Sequence, residues 1–105
     1  MTHEVILAAQ AQRELDAAHD WWATNRSREQ ADRWYARFVD ALIELESNPD
    51  RFPLASENDL FAFELRQLNF GIGRRPSHRA IFAIHDRTVI VLRVRSVHQA
   101  PISPE

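Results

Sequence analysis

The sequence predicts an α+β fold: a helical hairpin packed on one face of a small, mostly antiparallel β-sheet, in the order β-α-α-β-β-β. Three observations support this class. A short β-prone segment opens the chain, a long stretch with apolar residues at helical spacing follows, and the second half contains runs of alternating apolar residues. Helices first and strands afterwards are typical of α+β proteins. Residues 1–105 are expected to form a single domain.

The first half of the chain is predicted to supply one strand and two helices. Residues 3–7 (HEVIL) form the strand, and a stripe at helical spacing follows it: Ala8, Ala11, Leu15, Ala18 and Trp22. Residues 27–30 (SREQ) have the form of a capping box, which marks the start of the second helix. Helical spacing then continues to Asn48 and Pro49, where the proline disfavours helix for the preceding residue. The short turn between the helices predicts an antiparallel hairpin.

The second half is predicted to supply the remaining strands. Residues 49–60 contain two prolines and several turn-forming polar residues, which predict a surface connection. Residues 63–70 are predicted to form one strand, and residues 78–95 a β-hairpin. Residues 99–105 form a tail whose prolines keep it from continuing as a strand, so it is expected to be irregular.

The pattern of the hairpin predicts its register. A three-residue loop, His85 to Arg87, keeps the apolar faces of both strands together, whereas a two-residue loop would place an apolar face beside a basic one. In this register Arg79 lies opposite Arg93. The face expected to contact the helices carries six apolar residues: Ala80, Phe82, Ile84, Ile90, Leu92 and Val94. The opposite face, which carries the arginines, is expected to be open.

Charge is distributed unevenly along the chain, although the net charge is only −2. Residues 1–50 hold 5 Arg and 10 Asp or Glu, whereas residues 51–105 hold 8 Arg and 5 Asp or Glu. Like charges that face each other across strands destabilise a sheet. The arginines of the hairpin therefore predict an anion or an acidic partner at this end of the sheet, unless they extend separately into solvent.

Five cationic residues are candidates for a site on the open face: Arg66, Arg79, Arg93, Arg95 and His98. Arginines can stabilise negative charge on a scissile phosphate, and a histidine can transfer protons near neutral pH, so cleavage of a phosphodiester is chemically feasible here. The alternative is a basic surface that docks an acidic segment of a protein partner. Trp21, which lies off the main helical stripe, is a candidate for an exposed interface contact.

Several classes of function are not expected. The chain has no cysteine, and its five histidines show no spacing typical of metal ligands, so neither a metal nor another cofactor is predicted. No apolar run approaches the ~20 residues of a membrane span. The protein is therefore expected to be cytoplasmic.

Four segments, in their order and spacing, are similar to the ParE/RelE superfamily of bacterial toxins from type II toxin–antitoxin modules: QADRWYARFVDALIELESNPDRFP, ELRQLNFG, HRAIFAIHDRTVIVL and RVRSVH. The resemblance covers about residues 4–100. It implies a small α+β fold and a cognate antitoxin whose segment wraps the toxin and neutralises it. The superfamily divides by cellular target.

RelE-like members cut mRNA in the ribosome. By resemblance, Arg66 and Arg79 match recurrent family arginines, and Arg95 and His98 fall near the final catalytic positions. This chain departs from that branch because it has no lysine and an acidic helical half. Its long helical hairpin and its A-x-R-W helix signature resemble the ParE-like branch, which includes plasmid stabilisation proteins and is taken to poison DNA gyrase by binding.

The sequence therefore predicts a ParE-like toxin that binds and inhibits DNA gyrase and is neutralised by its antitoxin. Its expected partner-binding residues are Arg66, Arg79, Arg93, Arg95 and Trp21. One alternative is a RelE-like, ribosome-dependent mRNA endoribonuclease that uses Arg66, Arg79, Arg95 and His98. A second alternative is a non-toxic binding module of the same fold.

Overall fold

Four strands and two α-helices make up the structure, a computed structural model that describes residues 2–72 and 75–102. The elements are β1 (Glu4–Leu7), α1 (Ala9–Asn25), α2 (Arg28–Ile43), β2 (Arg66–Phe70), β3 (His78–His85) and β4 (Thr88–Ser96). Their spatial order in the sheet is β1-β4-β3-β2, with β1 parallel to β4 and the other neighbours antiparallel. The predicted fold class and the order β-α-α-β-β-β are confirmed.

The two helices begin and end close to the predicted positions. Ser27 Oγ accepts a hydrogen bond from the Gln30 amide at 3.0 Å, which caps the start of α2 as its sequence indicates. The α-helix ends at Ile43, earlier than predicted, and a 3-10 turn over Glu44–Glu46 continues it. The chain then reverses at Asn48, whose φ of 46° is a conformation that asparagine tolerates better than most residues.

The hairpin differs from its prediction in both loop and register. The loop has two residues, because His85 pairs with Thr88, and Arg79 pairs with Arg95 rather than with Arg93. A β-bulge opposite Ile81 and Phe82 inserts one extra residue into β4. An extra residue inverts the alternation of side chains beyond it, so a two-residue loop is compatible with an apolar face on both strands.

The bulge also changes which residues of β4 contact the helices. Val89, Val91 and Val94 join Ala80 and Phe82 in the core on that face. The prediction for Ile90 and Leu92 was wrong, because the two-residue loop places them on the opposite face. The predictions for Ala80, Phe82 and Val94 are confirmed.

The main core lies between the helices and the sheet. Trp34 and Phe38 of α2 are completely covered there, and their rings contact Phe70 of β2 with centroid separations of 6.3 and 4.6 Å. Leu15 of α1 and Leu68 of β2 are buried in the same cluster. The small side chain of Ala11 allows α1 to approach closely.

The outer face of the sheet, which we define as the face away from the helices, is not open as expected. A second apolar cluster covers part of it: Ala55, Leu65, Ile81 and Ile102, with Phe61, Ala83 and Leu92 packed against them. Ala55 belongs to the connection before β2, and Ile102 to the tail after β4, so segments predicted to be surface loops form a lid over this face. The remaining tail, residues 103–105, lies outside the described residues.

Neither helix of the described ranges has the length and apolar character needed to cross a membrane.

Candidate functional site

The structure does not bring the predicted cationic residues together on an exposed surface. Arg66, Arg79, Arg93 and Arg95 are each partly or fully covered, and each has an acceptor within the chain itself. The expected convergence was therefore wrong. The acidic partner that the like-charged pair predicted is supplied by two of the protein's own glutamates.

Arg79 is buried and paired with Glu57. Its side chain is 7% exposed, and the Glu57 side chain is completely covered. Arg79 Nη1 donates to Glu57 Oε1 at 2.7 Å, and Nη2 donates to Glu57 Oε2, so the pair is bidentate. The hydrogen bonds from Arg79 lower the pKa of Glu57 from 4.5 to about 2, against the opposing effect of burial. Arg79 is thus neutralised inside the protein.

Arg93 is paired with Glu14 of α1. Arg93 Nε and Nη2 donate to the Glu14 carboxylate at 3.0 and 2.7 Å, and the Val94 amide donates to the same carboxylate at 2.8 Å. Burial opposes the ionisation of Glu14, but these hydrogen bonds outweigh it and hold the pKa of Glu14 below its usual value. Because β1 ends at Leu7, the Val94 amide lies on a free strand edge, and Glu14 covers it.

Arg95 and Arg66 bond to main-chain carbonyl groups. Arg95 Nη2 donates to the Ala100 carbonyl at 2.7 Å, and its Nη1 lies 4.0 Å from Glu14 Oε2. Arg66 Nη1 donates to the Phe52 carbonyl at 2.6 Å, and its Nε donates to Glu64 at 2.9 Å. Both arginines therefore hold loops against the sheet.

His98 lies apart from this arrangement, in the turn that follows β4. It is exposed, and its amide donates to Ser96 Oγ at 3.2 Å. A phosphodiester-cleaving centre needs its proton donor and its charge-stabilising groups around one reacting atom. The structure places Arg66 and Arg79 in hydrogen bonds to Phe52, Glu64 and Glu57, not beside His98.

Sequence reasoning missed Glu14 and Glu57. Counting charge between Arg66 and His98 gives seven arginines and a single acid, Asp86, so that stretch appears strongly basic. The partner acids come from 22 and 79 residues away along the chain. Neither acid lies in a recognisable motif, so no signal in the sequence alone marked it as a partner.

A cleft of about 560 Å³ lies between α1 and the adjoining ends of β3 and β4. Its wall is formed by side chains from all three elements: Ala17, Ala18, Trp21, Trp22, His78 and Val94. Trp21 is 52% exposed and packs edge-to-face on Trp22 with a ring separation of 5.6 Å. This volume is typical of a binding pocket, and the expected exposure of Trp21 is confirmed.

Two histidines give the cleft its polar groups. His78 contacts the Trp34 ring at a centroid distance of 5.0 Å, and burial lowers the pKa of His78, which favours its neutral form. Its Nδ1 lies 2.9 Å from Ser77 Oγ. His98 lies on the rim. An apolar, aromatic wall with neutral polar groups suits an apolar protein side chain better than a phosphate.

Metal-ligating residues do not cluster in the described ranges: no group of three or more His, Cys, Asp or Glu side chains has the geometry to hold an ion.

Comparisons with known proteins agree with this fold. The model of a family described as "ParE toxin of type II toxin-antitoxin system, parDE" matches residues 5–101. No curated protein sequence matches the chain.

Among solved structures, a chromosomal ParDE toxin–antitoxin system from P. aeruginosa is similar, with a TM-score of 0.75, 19% identity, and 92% of this chain and 98% of that chain covered. The RelBE2 toxin–antitoxin complex from Mycobacterium tuberculosis has a TM-score of 0.59 and 24% identity over 91% of this chain and 99% of that one. The archaeal RelE–RelB complex from Pyrococcus horikoshii has a TM-score of 0.50 and 20% identity over 95% and 100% of the two chains.

Proposed function

Because this chain belongs to the ParE toxin family of type II toxin–antitoxin systems, we propose that it arrests growth by binding DNA gyrase and that a cognate antitoxin neutralises it. In this proposal the toxin acts through protein–protein contacts and cleaves nothing. The family assignment agrees with the resemblance found in the sequence. The target and the mode of action are the parts that need experiment.

The observation that supports binding over cleavage is the internal pairing of the arginines. Arg79 is buried against Glu57, and Arg93 is paired with Glu14. A guanidinium that is already paired with a carboxylate stabilises a developing phosphate charge poorly, because the carboxylate has to be displaced first. The mRNA endoribonuclease alternative requires Arg79 to be available to RNA, and the non-toxic alternative requires no target at all.

We further propose that the cleft beside Trp21 receives an apolar side chain of the antitoxin. Exposed tryptophans beside a pocket are frequent anchors of protein interfaces. Arg66, Arg79, Arg93 and Arg95 are covered by the chain itself, so they contribute indirectly, by fixing the sheet that carries the cleft. The antitoxin is the occupant favoured here because type II systems are defined by a toxin and antitoxin pair.

The antitoxin contact is tested with Trp21→Ala. We expect its affinity for the antitoxin to fall about 30-fold, or about 2 kcal/mol, as for other aromatic anchors. Ile43→Ala is the matched control, since Ile43 is 50% exposed and does not line the cleft. Titration calorimetry with both purified partners measures the effect. Equal affinities for the parent and Trp21→Ala would place the antitoxin elsewhere.

The target is tested with the purified chain and purified gyrase. We expect the chain to inhibit supercoiling and to leave cleaved DNA, and mapping of mRNA 5′ ends after expression to show no codon-positioned cuts. Cuts of that kind, with gyrase unaffected, would instead support the endoribonuclease. Unchanged growth on expression without the antitoxin would contradict both toxin mechanisms and support the non-toxic module.

A further inference from the structure

The chain after β4 crosses the outer face of the sheet, and few contacts hold it there. The Val97 amide donates to the Ser77 carbonyl at 3.0 Å, and the Gln99 amide donates to the Ser96 carbonyl at 3.1 Å, which makes a tight turn. Residues 99–102 then run without helix or strand. We call these four residues the strap.

Two hydrogen bonds fasten the strap to the sheet and its lid. Its Ala100 carbonyl accepts from Arg95 Nη2 at 2.7 Å, and its Ile102 amide donates to Glu57 Oε2 at 3.0 Å. Ile102 is 8% exposed and packs with Ala55, Leu65 and Ile81. The other three strap residues are exposed. One apolar side chain and two hydrogen bonds thus fix the whole segment.

The contacts beneath the strap do not depend on it. Glu57 accepts from Arg79 through both of its oxygens and from Ser56 Oγ at 3.0 Å, in addition to Ile102. If the strap leaves, the carboxylate therefore keeps its guanidinium and its hydroxyl partner. Pro101 has no amide hydrogen, so the strap cannot form a continuous ladder with a neighbouring strand.

From these contacts we infer that the strap is a detachable cover, which opens while the sheet and helices stay folded. Segments with few buried apolar contacts open locally at lower cost than the core. Opening removes the Ala100 carbonyl from Arg95, whose Nε is already buried without a partner among the described residues. It also uncovers Leu65 and Ile81. The opened face therefore presents a cation beside an apolar surface.

The surface under the strap fits one kind of ligand, an extended peptide segment with an aliphatic side chain. The strap itself shows the required chemistry: a carbonyl group that faces Arg95, and an aliphatic residue two positions later. A protein partner with this pattern would bind by replacing the strap. This inference concerns the outer face and is independent of the cleft beside Trp21.

Amide hydrogen exchange on the full chain tests strap opening. The Ile102 amide is expected to exchange at least about ten-fold more slowly than in an unstructured peptide, and at least about ten-fold faster than the amides of Ile81 and Val91. Exchange at the rate of the core would mean that the tail unfolds only with the domain and would overturn the inference. Exchange at the rate of an unstructured peptide would overturn it as well, since the strap would then not be fastened.

The Ile102→Ala variant tests what lies beneath the strap. Modification of Arg95 by phenylglyoxal is expected to accelerate in this variant, whereas modification of Arg93, which is held by Glu14, is expected to stay unchanged. Val97→Ala is the control, since Val97 is 36% exposed and lies before the strap. A peptide with the sequence QAPIS, added in excess, is expected to slow the modification of Arg95 again. No acceleration at Arg95, or equal acceleration at Arg93, would contradict the proposed cover.

Discussion

Replacement of Arg79 by alanine is expected to destabilise the protein by about 3–5 kcal/mol, the range for breaking a buried ion pair from one side. The reason is the partner that remains. Glu57 is completely covered, and without Arg79 its carboxylate stays buried with only Ser56 Oγ and the Ile102 amide as donors. Had Arg79 been exposed, as the sequence suggested, the same substitution would scarcely change stability.

The pKa of Glu57 gives a second route to this magnitude. Arg79 lowers that pKa from 4.5 to about 2, and a shift of this size corresponds to about 3 kcal/mol at neutral pH. Since the folded state has the lower pKa, the stabilisation is present above pH 4.5 and is lost as the pH falls through about 2. Both routes agree within the accuracy of either.

Urea denaturation followed by circular dichroism measures the effect, and a loss of this size lowers the melting temperature by roughly 15 °C or more. Arg87→Ala is the control, because Arg87 lies exposed in the hairpin loop and is expected to change stability by less than about 0.5 kcal/mol. If Arg79→Ala costs less than about 1 kcal/mol, as an exposed pair would, then solvent replaces Arg79 freely and the reasoning fails.

Three further predictions concern charged groups. Glu14→Gln is expected to cost about 1–3 kcal/mol in urea denaturation, since a charged acceptor of several hydrogen bonds is lost, whereas Glu44→Gln on the exposed helix end is expected to change little; equal effects would mean that Glu14 does not hold α1 to β4. On acidification, the parent is expected to lose stability between pH 4.5 and about 2 from Glu57, and a variant that lacks both Glu57 and Arg79 is expected to lack this component of its pH profile. The hydrogen bond to Asp32 raises the pKa of His19, so this contact between the helices stabilises the fold below the ordinary histidine pKa and is lost as the pH rises through the higher folded value. Asp32→Asn is expected to return the His19 pKa, followed by NMR, towards 6.5; an unchanged titration would contradict the assigned contact.

The parts of the fold that local patterns determine were predictable. The helical spacing and the cap at Ser27 place both helices, and the alternation of apolar residues places the strands. The hairpin register was not predictable, because a two-residue loop combined with a bulge in β4 leaves nearly the same alternation in the sequence as a three-residue loop without a bulge. Local sequence does not distinguish these two solutions.

The candidate site failed for a different reason. Glu14 and Glu57 meet their arginines only after the chain has folded, so a count of charges along one segment finds a basic stretch where the structure has neutral pairs. Trp21 was predictable, because a residue that lies off the apolar stripe of a helix tends to face solvent. Sequence patterns therefore indicated the exposed residue correctly but misplaced the arginines.

The central claim, that the arginines are structural and that toxicity depends on binding, is tested most directly by growth measurements on the double variant Arg79→Met/Glu57→Met. Replacing both members of a buried pair by apolar residues of similar volume is often neutral for stability, so this variant is expected to fold, which circular dichroism checks. We predict that its expression without antitoxin arrests growth as the parent does. A folded double variant that leaves growth unaffected would contradict the account and return Arg79 to the reacting site.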